Sequence, residues 1–248
     1  MRFLVVLIMA SLLVAAVFAA DSYAARQLLR ADPDALPGDA MLLRFAVRRG
    51  RPLFEARCAA CHGASGTGDT VNGVPDLTDN DWLYGTGRPA EIEKVIDYGI
   101  RSRNPKAWNL AIMPAYARPQ PNPGDKNIQP LTPGDIGDVI EFLMRQQGRP
   151  ADAVAVSRGA ALFTGHGGCY DCHSLDAKGD SAIGAPNLSD AITLYGDGSR
   201  GALYMSIAYG RDGNARKGIK IGHPHTVLYG SNTAVEPMVY RCLAVIPV

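Results

Sequence analysis

The sequence predicts a mainly α-helical protein: two tandem copies of one small domain behind an N-terminal apolar helix. Three observations carry this. An apolar run, broken only by Ser11, extends from Phe3 to Ala20. The sequence then matches itself at an offset of 111 residues, without a gap, from Cys58–Gly99 onto Cys169–Gly210. Sixteen of those 42 positions are identical, a copy too long for a solenoid unit and about the size of one small domain. Within each copy the apolar residues recur at helical spacing.

The run at the start follows a single basic residue, Arg2. As a helix, its eighteen residues would be about 27 Å long, close to the thickness of a bilayer core. That exceeds the usual apolar core of a cleaved leader and favours a membrane anchor at residues 1–20. Val17 and Ala19 are small enough to keep cleavage before Ala20 open. Residues 21–38 read as a linker. Arg26 and Arg30 would by charge alone draw that flank inward.

The first copy is expected over 39–148. Met41, Leu42, Phe45, Ala46, Leu53 and Phe54 form a helical stripe leading into the repeated motif. Pro89 opens a second helix with Ile92, Val95 and Ile96 on one face, stopped by Gly99. Arg118 to Asp135 is rich in proline and asparagine and reads as a loop. Thr132-Pro133 is an N-cap followed by proline at the first helical position. The third helix buries Ile136, Val139, Ile140, Leu143 and Met144 and ends at Gly148. A short linker, Gly148–Asp152, then leads to the second copy, 151–248, which becomes atypical from about 214. Arg158-Gly159-x-x-Leu162-Phe163 repeats Arg49-Gly50-x-x-Leu53-Phe54.

The chemistry lies in Cys58-Ala59-Ala60-Cys61-His62 and Cys169-Tyr170-Asp171-Cys172-His173. Two thiols three positions apart, with histidine directly after the second, form the attachment signature of c-type haem. The sulfurs add across two vinyl groups of one macrocycle, and the next residue supplies the proximal imidazole. Two covalently attached haem c groups are therefore expected. Cys58, Cys61, Cys169 and Cys172 would be the thioether residues, and His62 and His173 the iron ligands. A disulfide framework or a zinc site competes poorly once the histidines are counted. The fifth cysteine, Cys242, reads as an inert buried thiol. Lys and Arg number 25 against 24 Asp and Glu, which gives no reason to expect nucleic acid or another polyanion as partner.

The distal ligands differ between the copies. Met113-Pro114 sits in a loop, where a packing methionine is less expected, and is read as the thioether ligand of the first haem. Met41, Met144 and Met205 lie on helical stripes and read as packing residues. Trp82 and Tyr84 either line the haem pocket or are ordinary core aromatics. In the second copy the offset carries Met113 to Pro224, one residue from His223. His223 is the favoured sixth ligand of the second haem. His225, Met238 and no protein ligand at all are the alternatives.

CAACHG, PDLTDNDWLYG and IMPAY, repeated as CYDCHS, GAPNLSD, LYG and YGRDG, resemble the dihaem c-type subunit of cbb3-type haem–copper oxidases. The resemblance covers roughly residues 45–213. It implies class I cytochrome c folds, a membrane anchor, and electron relay from a soluble donor to a terminal oxidase. It also implies that Pro75 shapes the loop that hydrogen-bonds the proximal imidazole. The partners would be electron-donor and electron-acceptor proteins. The chain would sit in the inner membrane with its haem domains in the periplasm, or free in the periplasm if the leader is cleaved. Cytochrome subunits of periplasmic alcohol dehydrogenases share much of this pattern. A dihaem peroxidase is the enzymatic alternative, and it needs an open distal site.

Overall fold

A computed structural model of the chain describes residues 2–100, 104–108 and 111–211. Among them are eight α-helices and no strand, only isolated bridges. His223, His225, Met238 and Cys242 lie outside the described residues.

Helix α1 spans Arg2–Arg30. The apolar segment projects with its side chains exposed, and the helix is long and apolar enough to cross a membrane. It does not stop at Ala20. The expected linker 21–38 is instead the last part of α1 followed by a 3-10 helix, Pro33–Gly38. Ala24, Ala25, Gln27 and Leu28 are competent helix formers, so the chemistry continues the helix where hydropathy alone changes. Leu28 and Leu36 are buried together with Leu42, Phe45 and Ala46 of α2, Ala40–Arg57. Arg48 of α2 pairs with Asp21 at 2.8 Å.

The Asp39 carboxylate caps α2 by accepting from the amides of Met41 and Leu42, each at 3.0 Å. The helix buries Leu42, Phe45, Ala46, Gly50 and Phe54. Met41, expected on that stripe, is exposed, as is Met205. Met41 lies in the first turn beside the cap, and Met205 lies away from the buried Ile207–Ala208 edge of its helix. Cys58 continues the chain in helical geometry into a single turn, α3, Ala59–His62. Helix α4, Pro89–Tyr98, docks on the 3-10 helix, where Asp34 accepts from the Ala90 amide and pairs with Arg88.

Helix α5, Pro133–Gln146, starts at a reciprocal cap between Thr132 and Asp135. It buries Ile136, Val139, Ile140, Phe142, Leu143 and Met144. Its partners are α6, Ala153–Thr164, and α8, Arg200–Tyr209, whereas α2 packs on α1 and the 3-10 helix. Between α6 and α8 lies α7, Tyr170–His173. The main core therefore joins residues on both sides of the expected boundary at 148–151: Tyr116, Leu131 and α5 with Leu162, Phe163, Ala177, Ile207 and Ala208. At Gly159 the backbones of α5 and α6 approach closely. A Cβ there would lie 2.0 Å from the Asp138 carbonyl oxygen, so only glycine permits the approach. Arg158 clamps the Asp138 carboxylate through two bonds of 2.6 Å, and Arg200 of α8 holds Glu141.

The two motif-bearing loops meet face to face. The Gly85 amide donates to the Ser181 carbonyl at 3.0 Å, and the Gly196 amide to the Thr70 carbonyl at 2.8 Å. Thr70 matches Ser181 and Gly85 matches Gly196 in the repeat, so the two bonds are mutual images across a local two-fold relation.

Candidate haem-attachment sites

In each copy the motif histidine ends a one-turn helix and is then enclosed by its own loop. The Gly68 amide donates back to the His62 carbonyl at 2.9 Å, and Gly179 does the same to His173 at 2.9 Å. Leu77 and Leu188 close the loops onto the carbonyls of Gly66 and Ala177. Gly68 and Gly179 adopt φ of +65° and +76°. Side chains at these positions would also collide with the Pro75 and Pro186 backbone, so the loop geometry demands glycine twice over.

The result is two matching imidazoles. His62 is 6% exposed and its Nδ1 donates to the Pro75 carbonyl at 3.2 Å. His173 is 8% exposed and its Nδ1 donates to the Pro186 carbonyl at 3.0 Å. A carbonyl can only accept, so the proton sits on Nδ1 and the lone pair on Nε2, the tautomer that a metal-binding histidine requires. Burial pushes both imidazoles below their ordinary pKa, outweighing the carbonyl contacts, and keeps them neutral at neutral pH.

Cys58, Cys61, Cys169 and Cys172 are free thiols. Burial raises the Cys58 and Cys172 thiols and pushes Cys169 up to about 11. Raised in this way, these three thiols stay protonated at neutral pH, the state in which a thiol brings both S and H to a vinyl group. Two buried donors in the first half also lack a protein partner: the Tyr84 hydroxyl and the Trp108 indole N–H. Their rings lie 5.6 Å apart. Unpaired buried donors are costly, and a haem propionate is a carboxylate that would satisfy them. The residues present thus fit haem c.

Trp82 and Tyr84 prove to do different things from one another. Trp82 packs on Gly87 within its own loop, whereas Tyr84 is buried against Gly184 of the other copy. The reciprocal contact between the loops was missed at the level of sequence. Its only signal was that Thr70, Gly85 and their counterparts all fall within the gapless repeat.

Met113 departs from expectation. The chain leaves the end of α4, where the Trp108 amide donates to the Gly99 carbonyl, and then crosses to the second copy. There the Met113 carbonyl accepts from the Arg211 amide at 3.2 Å. Tyr116 and Ala117 donate to the carbonyls of Ile207 and Ala208 at 3.1 and 3.0 Å. The Met113 side chain packs against the core built by α5, α6 and α8. The Tyr116 hydroxyl donates to the Gly167 carbonyl at 2.5 Å, two residues from Cys169. Met113 was expected beside His62; the structure instead brings it to the half that contains His173. The reason is packing: α5, the next helix in the chain, buries its apolar stripe against α6.

Residues 47–147, which include the first of these paired sites, match the cytochrome c family. The chain is homologous to subunits of cbb3-type cytochrome c oxidases. It is 36% identical to CcoP of Rhodobacter capsulatus over 188 residues, which are 75% of this chain and 58% of that protein. It is 33% identical to CcoP of Cereibacter sphaeroides over 188 residues, 76% of this chain and 60% of that one. To FixP of Sinorhizobium medicae it is 36% identical over 162 residues, 65% of this chain and 50% of that one. The chain thus spans a little over half the length of the curated relatives it matches.

Proposed function

We infer that this chain is a dihaem electron carrier, with Cys58, Cys61 and His62 holding one haem c and Cys169, Cys172 and His173 the other. Haem c supplies a one-electron ferric/ferrous couple at each site. The chain's own residues contribute covalent attachment, a neutral imidazole of fixed tautomer, and burial. The observation that carries this reading is the pairing of His62 with Pro75 and of His173 with Pro186 at matching positions of the repeat. Loops joined through Gly85–Ser181 and Thr70–Gly196 would hold both groups in one fixed relation, as a relay requires.

The likeness to CcoP and FixP supports a role as the cytochrome subunit of a membrane-bound terminal oxidase. The carrier has no substrate chemistry of its own and passes electrons between a donor protein and the oxidase. Helix α1 would be the anchor, with the haem-bearing part on the periplasmic side, where covalent haem attachment takes place in bacteria. Expression of the full chain with a haem c maturation system, followed by detergent extraction and affinity capture, tests this. A haem–copper oxidase subunit should accompany the chain. Capture with a periplasmic dehydrogenase would reassign the partner, and recovery of the chain alone from the soluble fraction would make it a free carrier. Enzymatic consumption of peroxide by the reduced protein would overturn the carrier reading altogether.

A further inference from the structure

Helix α2 runs back along α1 toward its apolar segment. Leu42, Phe45 and Ala46 pack with Leu28, and Arg48, farther along α2, reaches Asp21, farther back on α1. The two helices are therefore antiparallel. Every described side chain of α1 up to Ala20 is exposed, so α2 leaves α1 at Asp21, directly after the apolar run. Tyr23, 58% exposed, stands at the same level, where an aromatic ring suits a membrane–water interface.

The charge here is one-sided. Residues 21–30 and α2 together carry seven arginines, no lysine and two acids, Asp21 and Glu55. Arg26, Arg30, Arg44, Arg48, Arg49 and Arg51 are exposed, and Arg44, Arg49 and Arg51 form no ion pair among the described residues. The fold does not require this charge. The equivalent helix of the second copy, α6, holds one arginine, Arg158, and that one clamps Asp138. Gly50 and Phe54 are buried, and Leu42, Phe45 and Ala46 pack with Leu28 of α1. Arg44, Arg48 and Arg51, at spacings of four and three, share the face that remains. A guanidinium matches phosphate with two bonds, and each basic group near a membrane adds attraction for an anionic headgroup.

We propose that this face is a second membrane contact, in which Arg44, Arg48 and Arg51 of α2, with Arg26 and Arg30 of α1, bind the phosphates of anionic phospholipids. The contact holds the haem-bearing part against the bilayer. It rests on α1 as the anchor.

The test titrates the full, haem-loaded chain in detergent with dioleoylphosphatidylglycerol or dioleoylphosphatidylcholine, read by native mass spectrometry. Preferential retention of the anionic lipid is expected, weakening as salt is added. Arg44→Gln/Arg48→Gln/Arg51→Gln should weaken it by roughly fivefold for each arginine removed, at unchanged haem content. If that variant loses haem, Arg51→Gln alone carries the test, with Arg118→Gln as the control. Equal retention of both lipids, or no loss in the variant, overturns the proposal. Displacement of the lipid by equimolar inorganic phosphate would mark a soluble-anion site and also overturn it. So would a variant that keeps the lipid but no longer captures the oxidase, which would mark a protein interface. Carbonate extraction of membranes reads the anchor separately. Release of the chain defeats the anchor and the proposal together, whereas a chain that stays in the membrane yet binds both lipids alike defeats the proposal alone.

Discussion

The hydroxyl of Tyr116 donates to the carbonyl of Gly167 at 2.5 Å, tying the loop after the first haem motif to the approach to the second. Tyr116 is 3% exposed, and burial together with the nearby Cys169 holds its hydroxyl well above the ordinary phenol pKa. The bond therefore persists through alkaline pH. Tyr116→Phe removes the donor and leaves the Gly167 carbonyl buried, a loss of about 1–3 kcal/mol. Urea unfolding followed by circular dichroism should show that loss.

The α5–α6 contact makes two glycines behave in opposite ways. Gly159→Ala drives a methyl into the Asp138 backbone and should cost about 1–3 kcal/mol, as overpacking does. Gly137, on the same pair of helices, has nothing within 4 Å of its would-be Cβ. Gly137→Ala should therefore stabilise by about 0.5–1 kcal/mol through helix propensity. Paired denaturation midpoints check both signs at once.

Asp81 links stability to pH. One of its carboxylate oxygens is buried without a partner. Burial first, and then the charges of Asp190 and Asp79, raise its pKa from 3.8 to about 6. Between these values the folded protein holds a proton that the unfolded chain has released. Stability from this group is thus full below about pH 3.8 and is lost as pH rises through 6. Asp81→Asn should raise the thermal midpoint at pH 7 and flatten its dependence between pH 4 and 6. An unchanged slope in a series of melts would contradict this.

Much of this architecture was legible because it depends on local chemistry. The Thr132-Pro133 helix start is a short-range signal and a working cap; Asp39, where the first stripe begins, caps its helix too, whereas the cap at Asp152 reads in the sequence only as the end of a linker. The loops around His62 and His173 follow from the matched glycines and prolines of the repeat. The partner of α5 was not legible. Gly50 and Gly159, Leu53 and Leu162, Phe54 and Phe163 are the same in both copies, so either helix presents the same stripe. Likewise Ile96-x-Tyr98-Gly99 matches Ile207-x-Tyr209-Gly210, the edge along which Met113–Ala117 lies.

What breaks the tie is dispersed along the chain. Glu141 is held by Arg200, whose counterpart is Pro89, and it also accepts from the Asp152 amide at 2.9 Å. The connection between α5 and α6 is only residues 147–152, short enough to favour packing of neighbours in sequence. Long-range pairs of this kind carry no periodicity. The continuation of α1 to Arg30 was missed for a simpler reason, since polarity changes at Asp21 while helix propensity does not.

The most direct test of the account is the mass of the denatured, full chain after expression with haem c maturation. Thioether-linked haem survives denaturation, so each attached group adds its mass to the polypeptide. Two haem masses are expected, falling to one in Cys58→Ala/Cys61→Ala and to one in Cys169→Ala/Cys172→Ala. A parent protein that takes up one haem, or none, would contradict the dihaem relay.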